Sequence, residues 1–191
     1  MAEHLIYLAA GSALRFGSNK LLCPVDGKPL FQYGLDTLTR AVRQREDCTL
    51  TVVSRYPQIL AAAQAAGGTA VDCPDSVLGL SYTIRAALDS LEPLASEDIL
   101  VFAVADQPWL TPSSVVRLLE AARSGAPGGT LCWEGQVGSP TFFSAALVPQ
   151  LRALTGDQGG RRVLKALGDA CIQVPAENAR ELEDVDLPSD L

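Results

Sequence analysis

The sequence predicts a single α/β domain built on a mostly parallel sheet with helices on both faces. Three observations point there. Apolar runs of strand length, at 4–10, 49–53 and 98–104, alternate with segments of helical spacing, as successive β–α crossovers require. The 191 residues, 48% hydrophobic and 19% charged, suffice for one core of ordinary size. No linker, internal repeat or low-complexity tract divides them, so residues 1–191 are expected to form one domain.

HLIYLAA (4–10) reads as a buried strand that runs into a polar, glycine-spaced loop, GSALRFGSNK. LFQYGLDTLTRAVRQR places Leu30, Gly34, Leu38 and Val42 four apart, the spacing of an amphipathic helix. TLTVV (49–53) is the next strand. LSYTIRAALDSL repeats the helical pattern at Leu80, Ile84, Leu88 and Leu91, and DILVFAV (98–104) is the most apolar strand of the chain. In LTPSSVVRLLEAAR, Thr111 is an N-cap and Pro112 occupies the first helical position. GAPGGTLCWEGQVGSPTFF then reads as two extended segments joined through Glu134-Gly135, an antiparallel excursion from the main sheet. Helices are expected at 145–154 and 160–167, and a last strand at 171–174.

Composition narrows the function. A net charge of −7 argues against nucleic-acid binding, which needs a basic face. No apolar run approaches the roughly 20 residues that cross a bilayer, and the N-terminus lacks the basic start of a signal peptide. Five scattered cysteines without a CxxC pair look like reduced thiols, which predicts a cytoplasmic protein without a zinc site. An acidic chain can still hold a phosphorylated small molecule if cations are concentrated locally. The loop after the first strand carries two, Arg15 and Lys20.

That loop sits where open α/β sheets bind ligands, and its glycines let backbone N–H groups approach phosphate oxygens. It is neither a P-loop nor a GxGxxG dinucleotide fingerprint. Asp106, in VFAVADQPWLT, falls at the end of an apolar strand and hence on the same sheet edge; it can hold Mg²⁺ or cap the helix near Pro112. Gly79 and Ser81 open a helix whose free N–H groups can receive a phosphate or a ribose hydroxyl, although a serine there also commonly caps its own helix. TGDQGGRRVL offers a further anion cradle or a plain turn before a helix. His4, the only histidine, precedes the first strand and reads as structural.

Leu8, Ala9, Ala10, Gly11, Arg15, Phe16, Gly17 and Lys20 together resemble the signature of the nucleotidyltransferases that activate phosphorylated acceptors. The resemblance implies a Rossmann-like three-layer sandwich of the nucleotide-diphospho-sugar transferase type. It implies that Leu8, Ala9, Ala10 and Gly11 wrap a nucleotide while Arg15 and Lys20 neutralise its triphosphate. It also implies that Asp106, in its Asp-x-Pro setting, carries Mg²⁺ and that Gly79 and Ser81 meet base and ribose; Thr83 stands where relatives have serine. GSPTFF and GDQGGRR resemble segments of the branch that acts on the molybdenum cofactor, which makes Gly138, Pro140, Gly156, Asp157 and Arg161 acceptor-binding residues. Ser139 replaces that branch's histidine, and Gly160 its alanine. The ending LEDVDLPSDL is similar to the same group's and offers Asp184 or Asp186 as a second metal ligand.

Ala10, where guanylyl-transferring relatives have glycine, points to CTP. The implied reaction moves CMP from CTP to the terminal phosphate of molybdopterin, a phosphorylated pterin, with a molybdenum hydroxylase as the eventual recipient. Three alternatives stay open: another nucleotide or phosphorylated acceptor, a non-catalytic pterin- or nucleotide-binding accessory protein, and a dinucleotide-dependent oxidoreductase, which the missing GxGxxG disfavours.

Overall fold

A computed structural model describes residues 1–11 and 19–185, so Arg15 and Asp186 lie outside the described residues. The strands are β1 (Glu3–Leu8), β2 (Pro24–Val25), β3 (Lys28–Pro29), β4 (Cys48–Ser54), β5 (Thr69–Asp72), β6 (Ile99–Val104), β7 (Gly128–Trp133), β8 (Gln136–Ser144) and β9 (Cys171–Pro175). The helices are α1 (Leu30–Val42), α2 (Pro57–Ala65), α3 (Leu80–Ser90), α4 (Pro112–Ala122), α5 (Val148–Arg152) and α6 (Arg161–Leu167). Seven strands form one sheet in the order β5-β4-β1-β6-β8-β7-β9, with β8 alone running against the others.

Alternation along β1 divides the core. Leu5 and Tyr7 face the layer made by α1, α2 and α4, whereas Ile6 and Leu8 face α3, α5 and α6. This is the expected three-layer α/β sandwich, with strands buried on both sides as parallel sheets require. Tyr7 is fully buried and donates its hydroxyl to the Phe31 carbonyl at 2.7 Å. Gly34 is obligatory above it, since a Cβ there would stand 2.4 Å from Tyr7 Oη.

The antiparallel excursion is a hairpin closed by Glu134 and Gly135, both at positive φ (47° and 84°), the two-residue turn that suits strand twist. Thr111 caps α4 as predicted, its hydroxyl accepting the Ser114 N–H at 3.2 Å. Three boundaries differ. β1 ends at Leu8, although the Ala9 N–H still reaches Val53 O at 2.9 Å. Residues 145–154 split into a 3-10 turn, Ala145–Leu147, and the short α5, because Pro149 has no N–H to continue a helix through that point. The segment 57–72, which has no predicted element, holds α2 and edge strand β5.

At the amino-terminal end of β1, opposite the cleft described below, Glu3 is fully buried. It accepts Arg45 Nη2 at 2.8 Å and Arg123 Nε at 2.7 Å, and also Arg45 Nε. This triad ties the ends of α1 and α4 to the sheet, and breaking such a buried set costs about 3–5 kcal/mol. No helix among the described residues is long and apolar enough to cross a membrane.

Candidate active site

The chain leaves β1 toward β4 on one side and later returns to β6 on the other. The carboxyl ends of β1 and β6 therefore flank the topological switch point, where such sheets bind ligands. Leu8 pairs in register with Val104, so Ala9-Ala10-Gly11 and Ala105-Asp106 emerge side by side. A cleft opens there in two adjoining chambers that share Leu8, Leu80 and Val104.

The first chamber, about 330 Å³, is lined by Ala10, Gly11, Lys20, Gly79, Thr83 and Asp106, among others. Lys20 and Asp106 meet in it: Lys20 Nζ lies 2.9 Å from Asp106 Oδ2 and donates a second bond to Val185 O at 3.0 Å. The sequence places these two residues 86 positions apart; the parallel pairing of β1 with β6 brings them together. Asp106 does not cap α4, since Thr111 does.

Gly79 sits at the N-terminus of α3 with φ +127°, and an added Cβ would stand 2.3 Å from the Gly156 carbonyl. The Ser81 N–H donates to that same carbonyl at 3.0 Å, closing α3 against the 156–157 loop. Ser81 itself is fully buried, and its hydroxyl has no partner among the described residues. The chamber wall at this helix is Gly79, Leu80 and Thr83, and Ser81 is not among its lining residues. Ser81 instead packs behind the wall.

The second chamber, about 470 Å³, is lined by Phe102, Gln107, Gly138, Ser139, Gly159, Gly160, Arg161 and Asp184, with other residues. Gly138 and Arg161 are thus both in its wall, and the Arg161 guanidinium also donates to Val137 O. Three of the expected acceptor residues do not line it. Pro140 is buried within β8, the Gly156 backbone packs against Gly79, and Asp157 lines the first chamber instead, because the loop folds over Gly79. Ser139 is occupied by the sheet: its hydroxyl accepts the Val104 N–H at 3.3 Å. Gln107, which the sequence reading passes over, donates from Nε2 to Asp184 Oδ1 at 2.8 Å and Leu182 O at 3.3 Å. Its place beside Asp106 in Asp-Gln-Pro is the signal that could have found it.

His4 lies away from the cleft, Nδ1 3.0 Å from Thr49 Oγ1 and Nε2 3.9 Å from Asp98, and burial lowers its pKa. Among the described residues no group of three or more His, Cys, Asp or Glu side chains could hold a metal by itself.

Comparison with known proteins decides what sheet, cleft and loop belong to. Residues 5–171 match the profile of the MobA-like NTP transferase domain. The chain belongs to the MobA-like NTP transferase family. The match runs from β1 into the start of β9 and so includes the residues that line the first chamber and all of those that line the second except Leu182 and Asp184. The MobA-like domain is 27% identical to the purine catabolism protein PucB of Bacillus subtilis, over 97% of this chain and 92% of that protein.

Its fold is that of solved structures. It superposes on Rv0371c from Mycobacterium tuberculosis H37Rv with a TM-score of 0.77 at 23% identity, covering 99% of this chain and 94% of that one. Rv0371c is also known as a manganese complex (TM-score 0.72, 21% identity, 94% and 90% of the chains). A nucleotidyl transferase from Methanothermobacter gives a TM-score of 0.76 at 21% identity over 99% and 94% of the chains.

Proposed function

We propose that this MobA-like domain, as a single catalytic unit, transfers CMP from CTP to the terminal phosphate of molybdopterin and releases pyrophosphate. The observation that carries the reading is the convergence of Lys20 and Asp106 at the carboxyl ends of β1 and β6, in the first of two adjoining chambers. Ala10, rather than glycine, supports cytidine over guanine. The purine catabolism for which PucB is named is in keeping with a partner that hydroxylates heterocycles, as a molybdenum hydroxylase does.

In this scheme the backbone of residues 8–11 and Thr83 hold the nucleotide in the first chamber, with Gly79 keeping α3 close enough to wall it. Arg161 and Gly138 orient the acceptor in the second. An oxygen of the acceptor's phosphomonoester attacks the α-phosphorus in line, a new P–O–P linkage forms, and the bond from the α-phosphorus to the β-phosphate oxygen breaks. Lys20, with Arg15, neutralises the charge on the departing pyrophosphate. Transfers of this kind depend on placement and charge neutralisation, not on a protein nucleophile.

The donor set fits Mg²⁺, which binds through one or two carboxylates and keeps waters and phosphate oxygens as its other ligands. Asp106, with a side chain 26% exposed, is such a carboxylate, and Asp186 would be the second. Bound there, the ion would supply electrophilic activation of the α-phosphate. The test is pyrophosphate release with each of CTP, GTP, ATP and UTP in the presence of molybdopterin. Release with CTP alone supports the reading. Preference for GTP overturns the nucleotide assignment, and tight CTP binding without release would favour an accessory protein.

A further inference from the structure

Beyond β9 the described chain runs back across the carboxyl edge of the sheet, and one buried carboxylate holds it there. Glu181 lies in the 3-10 turn Ala179–Leu182 and is fully buried. Oε1 accepts the Thr111 N–H at 2.9 Å, while Oε2 accepts the Ser114 hydroxyl at 2.6 Å and the Glu177 N–H at 2.9 Å. Thr111 and Ser114 form the first turn of α4, so the negative charge sits where that helix's free N–H groups gather.

Four residues further on, Val185 is bonded to the site in both directions. Its N–H donates to the Asp106 carbonyl at 2.9 Å, and its carbonyl accepts Lys20 Nζ at 3.0 Å. Between the two anchors, Gln107 Nε2 holds Leu182 O and Asp184 Oδ1. The segment 177–185 is thus a strap fastened at one end to α4 and at the other to the charged pair of the cleft. Of the strap's own side chains, Glu181 is a carboxylate with no exposed surface.

We propose that Glu181 is a positioning residue that, through this strap, fixes where Lys20 and Asp106 meet the phosphates of a bound nucleotide. The catalytic consequence rests on the reading given above; the geometry does not. With the carboxylate removed, the Thr111, Ser114 and Glu177 donors lose their common acceptor. The strap then swings on its Gln107 contacts, and the Val185 carbonyl leaves the ammonium it orients. A shift of about 1 Å at a reacting group can cost on the order of 10²-fold in rate.

Glu3 provides the control, being an equally buried carboxylate at the opposite end of β1. Glu181→Ala, Glu181→Gln and Glu3→Gln are compared by ¹H–¹⁵N spectra of the lysine ammonium groups and by kcat per folded molecule. The chain has three lysines, Lys20, Lys28 and Lys165, so the Lys20 signal is assigned by its loss in Lys20→Arg. The Lys20 cross-peak should keep its wild-type position in Glu3→Gln and be lost or displaced in Glu181→Ala. Glu181→Gln, which retains an acceptor for Thr111, should fall between. In turnover with CTP, Glu181→Ala should lose roughly 10- to 100-fold in kcat with KM for CTP within about threefold, while Glu3→Gln stays within about twofold of wild type.

An unmoved Lys20 signal in the Glu181 variants overturns the proposal, and so does an equal loss of kcat in Glu3→Gln. If Glu181→Ala does not fold, Glu181→Gln decides by the same two readouts. A wild-type protein that releases no pyrophosphate from CTP would sink the function proposed above, yet the ammonium spectra would still decide the role of Glu181.

Discussion

Replacing Gly79 with alanine drives a methyl group into backbone. The new Cβ would stand 2.3 Å from both the carbonyl carbon and oxygen of Gly156 and 2.8 Å from the Asp157 nitrogen, roughly 1 Å inside ordinary contact. None of these atoms can rotate away as the tip of a side chain would. Gly79 also has φ +127°, a conformation that residues with a Cβ rarely adopt. Backbone strain of this kind costs about 1–3 kcal/mol and overpacking about as much again, for a loss of about 2–6 kcal/mol. The cheapest relief is to part α3 from the 156–157 loop, which breaks the Ser81 N–H bond to Gly156 and opens the first chamber. In urea, with a slope of about 2 kcal/mol/M, the unfolding midpoint should fall by about 1–3 M, and CTP affinity should fall with it. A midpoint within about 0.2 M of wild type, with nucleotide binding intact, would refute this account of how α3 meets the loop.

Lys20→Ala and Asp106→Ala should each lower pyrophosphate release by about 10²–10³ while leaving a cooperative unfolding transition; wild-type rates in either would contradict the scheme. Burial holds the His4 pKa below its usual value against the opposing pull of Asp98, so the folded state favours the neutral ring. Its contribution to stability is present above about pH 6.5 and is lost as the pH falls below that value. The urea midpoint should therefore drop between pH 7 and 5 more steeply in wild type than in His4→Gln; equal slopes would refute it. The Cys48 thiol is pushed up to about 12, first by burial and then by Glu3. At pH 8 its thiolate fraction is on the order of 10⁻⁴, so iodoacetamide should label it only after unfolding, as read by mass spectrometry. Rapid stoichiometric labelling of Cys48 in the native protein would show the burial to be wrong.

The layers of the fold were legible because β1, β4 and β6 are dense apolar runs, α1 and α3 carry residues four apart, and Thr111-Pro112 marks the start of α4. α2 escaped because its alanines give no contrast between faces, and only Ile59 and Ala63 are fully buried. β5 escaped because it is a four-residue edge strand with no fully buried position. Asp26-Gly27 is the sequence signal for the β2–β3 hairpin, with both residues at positive φ, but the strands it joins are only two residues long.

At the site, Lys20 and Asp106 could be placed on one sheet edge from strand ends alone. Their direct pairing could not, because it depends on register across the sheet. The same holds for Asp157, which faces the first chamber only because Gly79 and Gly156 pack backbone to backbone. Glu181 was invisible for a different reason. In sequence it is one acidic residue in an acidic tail, and only its three donors show that it is an internal anchor.

The central claim is that a triphosphate and its divalent cation bind in the first chamber against Lys20 and Asp106, at the carboxyl ends of β1 and β6. Crystals grown with CTP and Mn²⁺, with anomalous scattering recorded at the manganese edge, test it most directly. The account predicts a manganese peak in contact with the Asp106 carboxylate and the β- and γ-phosphates within reach of Lys20 Nζ. A peak elsewhere, or a nucleotide bound outside the first chamber with the Lys20–Asp106 pair undisturbed, would contradict it.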